Sequence, residues 1–450
     1  MITIVWNLLS FVVALAILIA VHEWGHFWVA RRCGVLVQRF SLGFGKVLFS
    51  RKDRYGTEFS LSLIPLGGYV KMLDERVEPV PDELKHRAFN RQPVWRRFAI
   101  VAAGPIANFV FALLVFWLMF LLGVPSVKPV IGTIEPQSLA ARSGLQSGME
   151  IVSVADHPTV DWEAVTYQLV RHIGKPEVEL TLRDNQGRQL TRQLQLAGWT
   201  LNGKEEQAPF AALGFEPVMP EVLLQVGQLV PKGSAEQAGL QVGDELVALD
   251  GVKLASWQQF VDQIKLSPEV SLNLSYRRGG QLMQTALTPA ARDSGNKVVG
   301  YVGLAPAVKP LPERYRIDLQ YGPLDAAWMG LKKTVDVMGL TVDMVSKLFT
   351  GVVSLDNLSG PISIAKGAGS TASYGLVYFL GFLGLVSINL GIINLFPLPV
   401  LDGGHLMFFI IEAVRGKPVS ERFQEYAFKF GAAVLVCLMG IALFNDFVRL

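Results

Sequence analysis

Cysteine, histidine and charge are all scarce in this chain, and each shortage removes a class of protein. Only Cys33 and Cys437 occur among 450 residues, so no disulfide framework can be drawn and packing is the expected role of both. Charged residues make up 18% of the sequence and the formal net charge is +3. With no basic tract interleaved with aromatics, a nucleic-acid surface is excluded. What the chain has instead is apolar length: 51% of it is hydrophobic, too much for an ordinary soluble protein, yet with too many charges for a wholly embedded one. Membrane spans plus substantial soluble domains are expected.

Four segments qualify as spans. Residues 1–30 open with an apolar run, Met1 to Val21, that carries no charged side chain. It lacks a basic n-region and a small-residue cleavage site, so it is read as a retained span. Residues 98–124 and 374–400 are charge-free, and 426–447 is a fourth, shorter candidate with Lys429 at its edge. Between the first two spans, Phe27 to Arg97 holds 14 Lys/Arg against 7 Asp/Glu, which the positive-inside rule assigns to the cytoplasm. Both termini and the long stretch 125–373 are then extracytoplasmic, and 401–425 is a cytoplasmic loop.

One motif uses two of the six histidines. His22-Glu23-Trp24-Gly25-His26 closes the first span, and residues four apart on a helix share a face, so both imidazoles can hold one metal with Glu23 one position round as general base. Ionisable groups in a membrane helix are costly and mark function by default. A catalytic zinc takes three protein ligands, and the candidate third is Asp402, in Asn394-Leu395-Phe396-Pro397-Leu398-Pro399-Val400-Leu401-Asp402-Gly403-Gly404-His405. There two prolines break the third span and two glycines are expected to let the backbone turn; counting crossings puts Asp402 at the depth of His26. His405 is read as a neighbour of the site.

The soluble region repeats itself at an offset of 95 residues: Gly132, Pro136, Ala140, Gly144, Leu145, Gly148 and Trp162 recur as Gly227, Pro231, Ala235, Gly239, Leu240, Gly243 and Trp257. Two copies of one α+β domain are expected, at 125–220 and 221–309. The first departs from the second, with Met149 for Asp244 and Asp156 for Gly251. Residues 310–373 have the apolar spacing of amphipathic helices on or near a membrane surface. Phe59-Ser60-Leu61-Ser62-Leu63 alternates with period two, and Pro65-Leu66-Gly67-Gly68-Tyr69-Val70 is expected to turn that strand back.

The HExxH run, Gly104-Pro105-Ile106-Ala107-Asn108 on the second span, the Asn-to-Asp402-Gly-Gly run and the inserted repeat together resemble the site-2 protease family of intramembrane zinc metalloproteases, over essentially the whole chain. The second copy, through Ser234 to Glu245, is similar to the PDZ domains of bacterial proteases, and the first departs from that pattern. The resemblance implies a multi-pass α-helical membrane protein with four transmembrane helices, a membrane-entering β-structure in 31–97 and two inserted PDZ-like domains. It implies Zn2+ held by His22, His26 and Asp402, Glu23 as general base, and Asn389, Asn394, Gly43, Gly45 and Tyr69 at the substrate. The implied substrate is a single-pass membrane protein of the anti-sigma-factor type, already trimmed outside, or a leftover signal peptide, with the PDZ pair limiting access. The implied location is the bacterial inner membrane, with the PDZ domains in the periplasm and the active site near the cytoplasmic side. A membrane zinc transporter and a PDZ scaffold without protease activity are the rivals from other classes.

Overall fold

Helix α1, Ile2–Arg32, runs the apolar N-terminal segment into the metal motif and ends on Arg31 and Arg32, cations that suit the negative end of a helix dipole. The computed structural model describes residues 2–199, 210–293 and 297–448. Within it the chain divides into two units, one of Met1–Pro129, Ile134–Phe215 and Ile317–Leu450, the other of Val130–Thr133 and Glu216–Arg316.

After α1 come strands β1, Val37–Lys52, and β2, Glu58–Met72. Each is bent, so the pair makes more than a hairpin. Phe40 is paired with Val70 on one side and with Phe59 on the other, while Ser50 pairs with Ser60 and Lys52 with Glu58. In lateral order the segments run 47–52, 58–61, 37–42, 68–72, so the chain does turn back between Ile64 and Gly68. Phe27 and Ala30 of α1, with Val37, Phe40 and Ile100, form the apolar cluster that seats this β-structure on the helices. Its outer part leaves Val47, Leu48, Phe49, Leu61 and Leu63 exposed.

Helix α2, Val94–Leu122, starts four residues before the expected span and stops at Gly123, whose φ of 92° only glycine adopts freely. The two soluble copies then share most of their elements at the offset of 95. Helices α3, Leu139–Arg142, and α4, Trp162–Arg171, correspond to α5, Ser234–Gln237, and α6, Trp257–Leu266. Strand Glu150–Val154 corresponds to Glu245–Leu249. The capping residues correspond too: Asp161 accepts from Ala164 N and Ser256 from Gln259 N. Equivalent residues fill both cores, including Ala140 and Ala235, Leu145 and Leu240, Leu169 and Ile264.

The copies differ at a buried ion pair. Arg278 donates to both oxygens of the buried Asp244 at 2.8 Å. In the first copy Met149 fills that place, and the equivalent Arg183 bonds Glu150 at 3.1 Å instead.

Helix α7, Pro323–Phe349, follows, then α8, Pro361–Tyr374, α9, Leu376–Asn394, α10, Asp402–Arg415, and α11, Glu421–Val448. Among the described residues, α1, α2, α9 and α11 are the helices long and apolar enough to cross a membrane. Within 310–373, where amphipathic helices are expected, α7 also packs against the spans. Its Ala326 and Val337 are buried in one cluster with Phe116 of α2 and Ile388 of α9, and Gly330 lets it approach the backbone of Trp117. One stripe of α7 is spent on helix packing, which amphipathic spacing alone does not distinguish from a water-to-lipid boundary. The first soluble copy is fastened to α7 by Lys333–Glu163 at 2.6 Å, Arg171–Asp343 at 2.8 Å and Lys347 Nζ on the carbonyls of Val170 and Arg171.

Candidate active site

The site is built where α1 and α2 cross. Gly25 and Gly104 make that crossing possible, since a side chain on Gly25 would overlap the carbonyl of Ala103 and one on Gly104 would overlap the His26 ring. The imidazoles of His22 and His26 therefore lie against bare backbone of α2, with Nε2 atoms 3.3 Å apart. His26 Nδ1 is 2.9 Å from the carbonyl oxygen of Ile100, and His22 Nδ1 is 3.1 Å from the amide of Asn108.

Asp402 closes the group, with Oδ2 3.2 Å from His22 Nε2 and 3.5 Å from His26 Nε2. It does not stand in a loop, as the reading of 401–425 had it. It is the first residue of α10, with Leu401 at the N-cap position. The two glycines after it have a different task from the one expected. They are helical, and side chains on them would overlap the carbonyls of Leu395 and Leu398, so they let α10 press against the broken end of α9. Arg97 of α2 anchors the helix from its other end, bonding Glu412 at 2.6 and 3.2 Å and lying over the Phe409 ring.

The donor set fits a metal. Asp402 Oδ2 is buried and accepts a hydrogen bond from no donor among the described residues, and the three ligand atoms lie within 4.8 Å of one another. Lone pairs converging on one point in a low-dielectric site need a cation between them. Glu23, on the same helix, sits beside Gly68 of β2: a side chain on Gly68 would come within 3.0 Å of Glu23 Cγ.

The profile of Peptidase family M50 matches residues 10–438. A regulator of sigma-E protease, RseP, of Escherichia coli is 51% identical over 453 residues, covering 100% of both chains. The protein of that name from Salmonella typhimurium is 50% identical over 451 residues, again covering 100% of both. A Vibrio cholerae protein named as a candidate zinc metalloprotease is 50% identical over 450 residues, 99% of each chain. The chain belongs to the site-2 protease family. It is an intramembrane zinc metalloprotease of that type.

Other residues singled out from the sequence of this site-2 protease fall into two sets. Gly43 and Gly45 hold φ of 89° and 83° at the bend of β1, and a Cβ on Gly43 would press on the carbonyls of Ser62 and Ile64. Tyr69 stacks on Phe44 with ring centroids 6.2 Å apart, and its hydroxyl accepts from Arg39 at 3.3 Å. Asn389, half-buried on α9, accepts a hydrogen bond from Thr341 of α7 at 2.8 Å. Asn394 is the last residue of α9. His405 stays out of the group of metal-ligating atoms and packs on Phe428, centroids 5.3 Å apart. Sequence reasoning missed Gly68, Ile100 and Arg97 as parts of the site. The Gly67-Gly68 pair was a signal for close approach; a backbone carbonyl and a remote ion pair leave none.

Proposed function

We propose that this protease cuts the membrane-spanning segment of a single-pass membrane protein, with metal held by His22, His26 and Asp402 and with Glu23 as general base. The convergence of three donors on one point beside Glu23, on helices able to cross a bilayer, carries this reading. Bound there, zinc supplies Lewis acidity to a scissile carbonyl and to water. Glu23 takes the proton of the attacking water and hands it to the leaving amide nitrogen. Gly68 beside Glu23 puts the 68–72 segment next to the chemistry. An unwound stretch of substrate adds to such an edge as a strand, with Gly43 and Gly45 shaping the bend, Tyr69 flanking it, and Asn389 and Asn394 offering side-chain partners to freed backbone groups.

The names of the relatives support a substrate of the anti-sigma-E-factor type, trimmed outside beforehand, and the same chemistry accepts remnant signal peptides. The two soluble copies act as PDZ-like domains that limit access by substrates with bulky outer domains. The 14 Lys/Arg of residues 27–97 favour an inner-membrane orientation with that segment cytoplasmic and the copies periplasmic. Incubating the purified chain with a trimmed single-pass substrate, with and without a zinc chelator, is the test. Glu23→Gln keeps zinc and loses cleavage; a purified Glu23→Gln protein that still cuts ends the assignment. Deleting residues 127–309 abolishes discrimination between intact and trimmed substrates, and unchanged discrimination ends the filter.

A further inference from the structure

Both histidines of the motif touch α2 through the ring nitrogen that faces away from Asp402. For His26 the partner is the carbonyl oxygen of Ile100 at 2.9 Å, which can only accept. His26 Nδ1 therefore carries the proton, and its Nε2 keeps the lone pair that a metal needs. For His22 the partner is the Asn108 side chain, 3.1 Å away. Ile100, Gly104 and Asn108 are spaced four apart, so they form one stripe of α2.

Asn108 is fully buried, and its Oδ1 has no hydrogen-bond partner among the described residues while its Nδ2 faces His22. In that arrangement the His22 Nδ1 lone pair accepts and the proton sits on Nε2, where it blocks metal. A half-turn of the amide about Cβ–Cγ exchanges Oδ1 and Nδ2 in the same space. Oδ1 then gains a donor, and His22 Nδ1–H gains an acceptor. The stripe is held in place from α9, where Ser387 Oγ donates to the Asn108 carbonyl at 2.9 Å.

We propose that Asn108 is a positioning residue which, by accepting the His22 Nδ1–H through its side-chain oxygen, sets the tautomer that leaves His22 Nε2 free for metal. Together with Ile100 it makes α2 the orienting layer for both imidazoles. The inference rests on the zinc reading above. Partners of this kind are generally worth a factor of about 10–100 in metal affinity.

The test is a zinc competition titration on the purified full-length chain against a chelator of known affinity, with zinc content measured alongside. Asn108→Leu, which keeps the volume and removes the acceptor, should weaken zinc by about 10–100-fold. Asn108→Asp, which keeps an acceptor, should stay within a few-fold of the parent. If Asn108→Leu does not purify as a folded chain, Asn108→Ala takes its place in the same comparison. Parent-like affinity without the acceptor overturns the proposal. Equal loss in Asn108→Asp and Asn108→Leu also overturns it, because packing alone would then explain both. A parent chain that binds no zinc at all overturns the metal reading along with it.

Discussion

Gly104 of α2 lies against the imidazole of His26 so closely that a side chain there would overlap Nε2 and stand 2.9 Å from His22 Cε1. Together with Gly25 on α1, the absence of a side chain here sets how near the first two spans come, and so where the metal-ligating atoms point.

Gly104→Ala should abolish zinc binding, because neither backbone nor a rigid imidazole can yield by the distance required. Metal analysis of the purified chain checks it. Gly440→Ala on α11, where nothing lies within 4 Å, should leave zinc unchanged and stabilise that helix by roughly 0.5–1 kcal/mol.

Glu412→Ala should weaken zinc binding although it lies more than two helical turns from Asp402. It removes the partner of Arg97, a side chain 11% exposed in a pair with Glu412 at 14%. Stranding a charge so sheltered costs about 3 kcal/mol, enough to loosen α10 from α2. The double exchange Arg97→Glu with Glu412→Arg should recover part of the affinity.

The second soluble copy should lose stability in acid. Burial by itself would raise the Asp244 carboxyl, but hydrogen bonds from Arg278 and from the Gln241 N–H, with the Arg278 charge, outweigh it and hold the group below its ordinary value. A lowered folded value means the stabilisation is full above the unfolded carboxyl's pKa, about 4, and fades as pH falls through the folded value. The protection factors of strand Glu245–Leu249 against hydrogen exchange should fall below about pH 4. In Asp244→Asn that acid dependence should vanish, with protection already reduced at neutral pH.

Asp156→Gly should stabilise the first copy by about 1 kcal/mol. Asp156 holds φ of 62° where the second copy has Gly251 at 78°, and an L-residue there pays for a conformation glycine adopts freely. Thermal unfolding of the full chain followed by exchange in strand Glu150–Val154 checks it.

Much of this was legible because it repeats or is periodic. The offset of 95 between Ala140 and Ala235 already predicts two copies of one fold, and α4 and α6 obey it to the residue. The alternation of 59–63 and the glycines at 67 and 68 foretell a strand that turns back. Less legible was α7: amphipathic spacing does not tell which apolar residues meet a neighbouring helix, and only Ala326, Gly330 and Val337 in place show the stripe that packs on the spans. The glycines after Asp402 were misread for a related reason, since a glycine that turns and a glycine that packs look alike until a neighbour is present.

By itself the sequence determined the span count, the repeat, and the two histidines with Glu23 on one helical face, because helical periodicity and hydropathy are properties of a chain read locally. The tertiary structure alone decided that Gly104 lies under His26, that Ile100 and Asn108 hold the far nitrogens, and that Arg97 steadies the helix of Asp402. These are contacts between residues 74 to 315 apart in the chain, and only packing, which excludes water and leaves each buried polar atom to find a partner, brings them together.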